Sequence, residues 1–195
     1  MKLFHYHHWT DCVEETEQFY TTNGFRTAGR FGTERTYHPP LTWEDFRNEQ
    51  PLLRIVEVRK DQVNVTFGRG NRPMFDHIGW LVSKNEHDVI CEHARKLGWN
   101  VNSNERRTFI GTPFHLRLEL QQHDDAIDTG TCEICFMDIT VKETKYTDQL
   151  PKLFGHSLPE LRFQRGARLA LERVVLKNME KRRVTDPQGV MLQFI

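Results

Sequence analysis

Neutral imidazoles and carboxylates are the side chains that hold borderline divalent metals, and this chain places several of them on strand-like runs. His5 and His7 lie two apart in LFHYHHWT, His77 sits in FDHIGWLV, and Glu119 falls in the alternating run FHLRLEL. Residues two apart on a strand share a face, so His5 and His7 point one way with Leu3 and Trp9, and Phe4, Tyr6 and His8 the other. Phe4 and Tyr6 suit packing against a helix, which sends His5 and His7 to the concave side. By the same rule Glu119 shares a face with Arg117 and His115, while Leu116, Leu118 and Leu120 share the opposite one. A carboxylate on such a half-apolar strand is costly to bury without a partner. His115 is a candidate for acid–base work. Arg117, with Arg106 and Arg107 of ERRTF, could grip an anionic substrate group bidentately.

The elements that must position these residues recur along the chain. A strand (LFHYHHWT) leads into a helix (DCVEETEQFYTTNGF) that Thr10 or Asp11 could cap and Gly24 closes. Strands follow around RTAGRF, LLRIVEVRK and QVNVTFG, interrupted by a polar insertion with a turn at Pro39 and Pro40. The order then repeats: FDHIGWLV, the helix NEHDVICEHARKLG closed by Gly98, then NVNSNERRTFI and TPFHLRLELQ. Gly24-Phe25 matches Gly98-Trp99, and strand-to-helix spacing sets His5 level with His77. A fainter third return runs through CEICFMDITV, KYTDQLPKLFG and the strands LRFQRG, LALERVVLKN and VMLQFI. One helix followed by several turn-linked strands per unit favours antiparallel pairing over a doubly wound sheet. The expected fold is therefore α+β, with repeated βαβββ modules at 1–70 and 71–121, a polar linker at 122–130, and a degenerate third module at 131–195.

Composition removes several functional classes. Lys+Arg and Asp+Glu are equal at 27 each, so no net field draws nucleic acid or an anionic membrane. No apolar run is long enough to span a bilayer, and MKLFHYHHWT lacks the pattern of a signal peptide. The four cysteines are too scattered for a disulfide framework, which points to a reducing cytoplasm. Cys132 and Cys135 form a C-x-x-C, but without a second pair or a following helix they read as strand cysteines.

Strand histidine, helix end FYTTNGF, second strand histidine and the terminal run FHLRLEL, in this order, resemble the vicinal-oxygen-chelate superfamily of glyoxalases, bleomycin-resistance proteins and extradiol dioxygenases. The resemblance covers residues 1 to about 121 and implies an incomplete eight-stranded barrel around a metal or ligand cleft. It implies metal ligands at His5, with His7 as the alternative, at His77 and at Glu119. The matching strand of the first module, VNVTFGRG, offers Asn64 and Thr66 but no carboxylate, so a fourth ligand is missing. Two imidazoles and one carboxylate form the facial triad of non-haem Fe(II) oxygenases, and Zn, Mn or Co would also accept them. The third unit has no histidine in CFMDIT and offers Gln193 where a carboxylate would lie; its exposed edges make a homodimer the expectation. The implied function is a metal-dependent dioxygenase or lyase/isomerase acting on a small oxygenated or aromatic molecule. A non-catalytic drug- or metabolite-sequestering protein is the alternative, and it calls for an apolar, aromatic-lined groove.

Overall fold

The computed structural model describes residues 1–32, 41–48 and 52–195, so the turn expected at Pro39 and Pro40 lies outside the described residues. The first module runs β1 (Lys2–Thr10), α1 (Val13–Thr22), β2 (Arg26–Gly32), the short α2 (Trp43–Asn48), β3 (Leu53–Lys60) and β4 (Val63–Arg69). The second runs β5 (Met74–Leu81), α3 (Lys84–Lys96), β6 (Asn100–Ser103), β7 (Arg107–Gly111) and β8 (Arg117–Gln121). Together they make one open, eight-stranded sheet in the order β2-β3-β4-β1-β5-β8-β7-β6.

The pairing is mixed rather than wholly antiparallel. β1 runs parallel to β4 and β5 parallel to β8, because each module's helix is the crossover that parallel strands require. Helix ends follow local chemistry. Gly24 and Gly98 take positive φ of 87° and 74°, the left-handed stop open to glycine. Ser83 and Glu86 form a capping box at the start of α3, a signal present in SKNE that the repeat-based reading passed over. At α1 the N-cap is Cys12, without a side-chain cap. Thr10 instead accepts the Cys12 N–H through its hydroxyl.

The modules meet along β1 and β5, where His5 faces Gly79, Tyr6 faces Ile78 and His7 faces His77. Exchanging the two strands maps each pair onto another, so an approximate two-fold axis passes through Tyr6 and Ile78. The ladder skips Phe4 on β1 and Asp76 on β5. These two bulges are equivalent under the axis, and each immediately precedes its module's histidine. A bulge breaks alternation and re-aims side chains.

Residues 131–195 form β9 (Glu133–Val141), α4 (Leu150–Phe154), β10 (Leu161–Arg165), β11 (Ala170–Lys177), β12 (Arg182–Thr185) and β13 (Met191–Phe194). Their five-stranded sheet, β10-β9-β11-β13-β12, repeats the parallel–antiparallel–parallel pairing at the centre of the larger sheet. The two sheets share one core: Trp80 packs on Phe154 at 4.8 Å between ring centres and Phe114 on Phe163 at 5.7 Å. Buried Tyr20 of α1 stacks on Phe67 and donates its hydroxyl to Asp186, in the turn before β13. Among the described residues, no helix is long and apolar enough to cross a membrane.

Candidate metal centre

His5, His77 and Glu119, far apart in sequence, converge to within 4.8 Å of one another and are all buried. His5 Nε2 lies 3.2 Å from His77 Nε2, and Glu119 Oε2 lies 3.1 Å from His77 Nε2 and 3.8 Å from His5 Nε2. Strand register accounts for the convergence. Gly79 stands between β1 and β8, opposite His5 on one side and level with Glu119 on the other. A Cβ on Gly79 would come within 3.1 Å of the His5 side chain, so glycine leaves room for the imidazole.

The surroundings decide which ring nitrogens carry protons. His5 Nδ1 faces two acceptors, Asn64 Oδ1 at 2.9 Å and the Asn64 carbonyl at 3.1 Å, so it is the donor. His77 Nδ1 faces the Asp76 carboxylate at 3.0 Å and donates to it. In the neutral imidazole this leaves a bare lone pair on each Nε2. Burial pushes His5 down to about 4, against the pull of Glu119, so it is neutral at pH 7. Burial acts to raise the Glu119 carboxyl, yet it lies well below its usual range, with the Arg107 guanidinium 3.5 Å away as the standing positive charge beside it. Although 3.1 Å from His77, Glu119 Oε2 lacks hydrogen-bonding geometry and is left buried without a partner.

Three unshared pairs thus point at one place, an arrangement that is costly unless a cation sits among them. Donors about 2.1 Å from a metal stand about 3.0 Å apart at right angles and about 3.4 Å apart at tetrahedral angles. The 3.1 and 3.2 Å separations fall in that range, and the 3.8 Å between His5 and Glu119 is wider. The donor set fits a divalent cation. Asp76 and Asn64 play the part that outer partners play around metal-bound histidines, fixing the tautomer and the ring orientation.

Other residues singled out from sequence take different places. His7 is buried and stacked on His77 at 4.9 Å, with Nδ1 2.7 Å from Thr66 Oγ1; it stands beside the triad and not in it. Thr66 occupies the register position that Glu119 holds in the second module, which is where the fourth carboxylate is missing. Arg117 is engaged by Asp76 through two hydrogen bonds and lies 4.8 Å over Phe109, so it steadies the partner of His77. The structure does not bring His115 to the triad. β8 begins only at Arg117, and His115 sits in the preceding turn, exposed, with φ of 67°, so strand alternation does not reach it. Asp76 was invisible to alternation for the opposite reason: the bulge at its position turns it toward its neighbour's ring.

Two of the three, His5 and Glu119, line a cavity of about 330 Å³, bordered chiefly by polar and charged groups including Glu57, Arg59, Arg106 and Arg107. Arg107 Nε is 3.5 Å from Glu119 Oε1, and its side chain stays 40% exposed. Arg106 pairs with Asp125 and Arg59 with Glu57. The 122–130 segment supplies one wall. Asn64 Nδ2 donates to the Ala126 carbonyl and Arg26 grips Asp128.

The five-stranded sheet reproduces this register with other residues. Its bulges fall at Cys135 and Glu172, so Phe136, Arg173 and Gln193 hold the positions of His5, His77 and Glu119. Arg173 Nη1 donates to Gln193 Oε1 at 3.0 Å, its Nε to Asp138, and its guanidinium lies 5.5 Å over Phe136. A fixed organic cation fills the place where the larger sheet gathers metal donors. Cys132 and Cys135 are free thiols at and just before β9.

No family profile matches the chain, and no curated protein matches it. Solved structures do. The 2,3-dioxygenase LapB from Pseudomonas sp. KL28 aligns over 99% of this chain and 91% of its own, with a TM-score of 0.71 at 10% identity. A Mn(II)-bound glyoxalase from Novosphingobium aromaticivorans aligns over 99% and 81%, with a TM-score of 0.68 at 10% identity. Homoprotocatechuate 2,3-dioxygenase from Arthrobacter globiformis aligns over 100% and 80%, with a TM-score of 0.65 at 10% identity. At 10% identity these likenesses show the fold alone: this chain folds as those two dioxygenases and that glyoxalase do.

Proposed function

We propose that the protein is a metal-dependent enzyme of the dioxygenase or lyase/isomerase type, holding one divalent cation on His5, His77 and Glu119. The observation that carries this reading is the convergence of three buried donor atoms, two of them imidazole nitrogens whose rings keep their protons on the far side, toward Asn64 and Asp76. The structural neighbours, ring-cleaving dioxygenases and a Mn(II)-bound glyoxalase among them, support it. A bound cation of this kind polarises a carbonyl, enolate or diol oxygen and stabilises the negative charge that develops there.

The chain's own groups define the rest. The cavity of about 330 Å³ suits a substrate of roughly one ring, and Arg107 offers a positive charge on its lining. A small molecule with two adjacent oxygens fits, one of them anionic. Two imidazoles and one carboxylate on a shared face are the donor set of non-haem Fe(II) oxygenases, which favours ring cleavage over isomerisation. The sequestering alternative calls for an apolar, aromatic-lined groove, and the polar lining counts against it.

Elemental analysis of untagged protein beside His77→Ala is the test. About one equivalent of iron, manganese, zinc or cobalt in the parent, lost in the variant, is the expected result. Protein that takes up no metal after addition and gel filtration would sink the proposal. The bound metal then directs the assay: oxygen uptake with catechols for iron or manganese, isomerisation of hydroxy-carbonyl compounds for zinc or cobalt.

A further inference from the structure

A second cavity, of about 630 Å³, opens on the other face of β1 and β5, where the two sheets meet. Three cations from three separate segments ring it: Arg72 between β4 and β5, Lys142 just past β9, and Arg168 between β10 and β11. All three are exposed, and among the described residues none of them forms an ion pair. The sole carboxylate lining the cavity is Asp76, already committed to Arg117 and His77. In a chain with equal numbers of acids and bases, three convergent cations without counter-charge leave a local positive field.

The rest of the lining is of two kinds. Phe75, Phe114, Leu171 and Val190 are buried and give it an apolar wall. His8 and Gln188 also line it, and each carries a buried polar atom, His8 Nε2 and Gln188 Oε1, that meets no partner among the described residues.

We infer that this cavity is a second binding site, for a small amphipathic organic anion: an oxyanion head, carboxylate or phosphate, on an apolar body. Arg72, Lys142 and Arg168 take the head, and Arg gives two of them bidentate geometry. The apolar wall takes the body. A cavity of this volume holds a molecule of ordinary metabolite size. The cavity shares no lining residue with the triad cavity, Asp76 at its edge being the one residue that also holds His77. The three cations do not depend on a metal there.

The test is calorimetric titration of the full chain, with and without chelator, using octanoate, octyl phosphate and neutral octanol. At least one of the two anions is expected to saturate at one per chain, about tenfold or more tighter than octanol, with the same affinity in chelator. The tighter anion identifies the head group. The double variant Lys142→Glu/Arg168→Glu, both residues being exposed, is expected to keep the parent's circular dichroism and melting temperature and lose anion binding about tenfold or more. The site is refuted if neither anion saturates by millimolar concentration, if octanol binds as well, or if the charge-reversed variant keeps its affinity. Loss of binding on chelation would refute it too, by placing the ligand at the triad.

Discussion

At the scale of single residues, the chemistry rests on where protons are kept. His5 and His77 would be ordinary buried histidines if their Nδ1 atoms faced donors; facing Asn64 and Asp76, they present Nε2 lone pairs inward. Asp76→Asn removes the charge but keeps the shape, and it is expected to weaken metal binding by roughly 10–100-fold in a chelator competition titration. Glu119→Gln removes a donor itself and is expected to cost more than Asp76→Asn in the same titration. Equal affinity in all three proteins would mean that the triad is not where the metal sits. The supporting pair Arg117–Asp76 gives a graded control: Arg117→Met should weaken metal binding less than Asp76→Asn, since it acts one contact further out.

Between elements, the tie from α1 to the turn before β13 carries a pH signature. Asp186 accepts the backbone N–H groups of Gln188 and Val190 and the hydroxyl of Tyr20, yet burial dominates and lifts its carboxyl from 3.8 to about 6. Because the folded state holds this proton more tightly than the unfolded chain, the associated stability is full below 3.8 and is lost as pH rises through about 6. Asp186→Asn keeps both backbone acceptances and can donate to Tyr20, which then donates to Tyr6, 3.0 Å away. The variant should be about 3 kcal/mol more stable than the parent near pH 8, the gap closing toward pH 4, by urea unfolding at several pH values. A gap that stays constant with pH would show that Asp186 does not titrate between those limits. A second element-level case is Gly68 of β4, where a Cβ would meet the Arg54 carbonyl at 2.7 Å and the Trp9 ring at 2.5 Å. Gly68→Ala is expected to destabilise by about 1–3 kcal/mol, because backbone cannot move aside as a side chain can.

For the molecule as a whole, the two sheets are halves of one core and not two bodies on a tether. Trp80 is fully buried and packs on Phe154 of α4, so the larger sheet leans on the smaller for its interior. Trp80→Ala should cost about 3–5 kcal/mol, and thermal unfolding should remain a single transition seen alike by calorimetry and circular dichroism. Two separated transitions would show instead that the sheets fold independently. The smaller sheet has kept the register of the larger while replacing its donors, with Arg173 between Phe136 and Gln193. The chain is therefore expected to load one metal, not two.

What could be read from the residues in order was whatever local periodicity and repetition encode. Alternation fixed the faces of His5, His7 and Glu119, the glycine-closed helices marked the two modules, and spacing aligned His5 with His77 and pointed to Gln193 as the missing carboxylate. Those rules hold only while a strand stays regular. They misplaced His115, which precedes the strand, and Phe4, which the bulge before His5 turns into the triad cavity while Leu3 joins the core. They also missed Asp76, which a bulge turns onto its neighbour's ring. The direction of each imidazole's proton, the seating of the 122–130 segment against the triad cavity, and the ring of unpaired cations between the sheets all join residues many positions apart. No local pattern encodes such contacts, because they exist only once the sheets have packed.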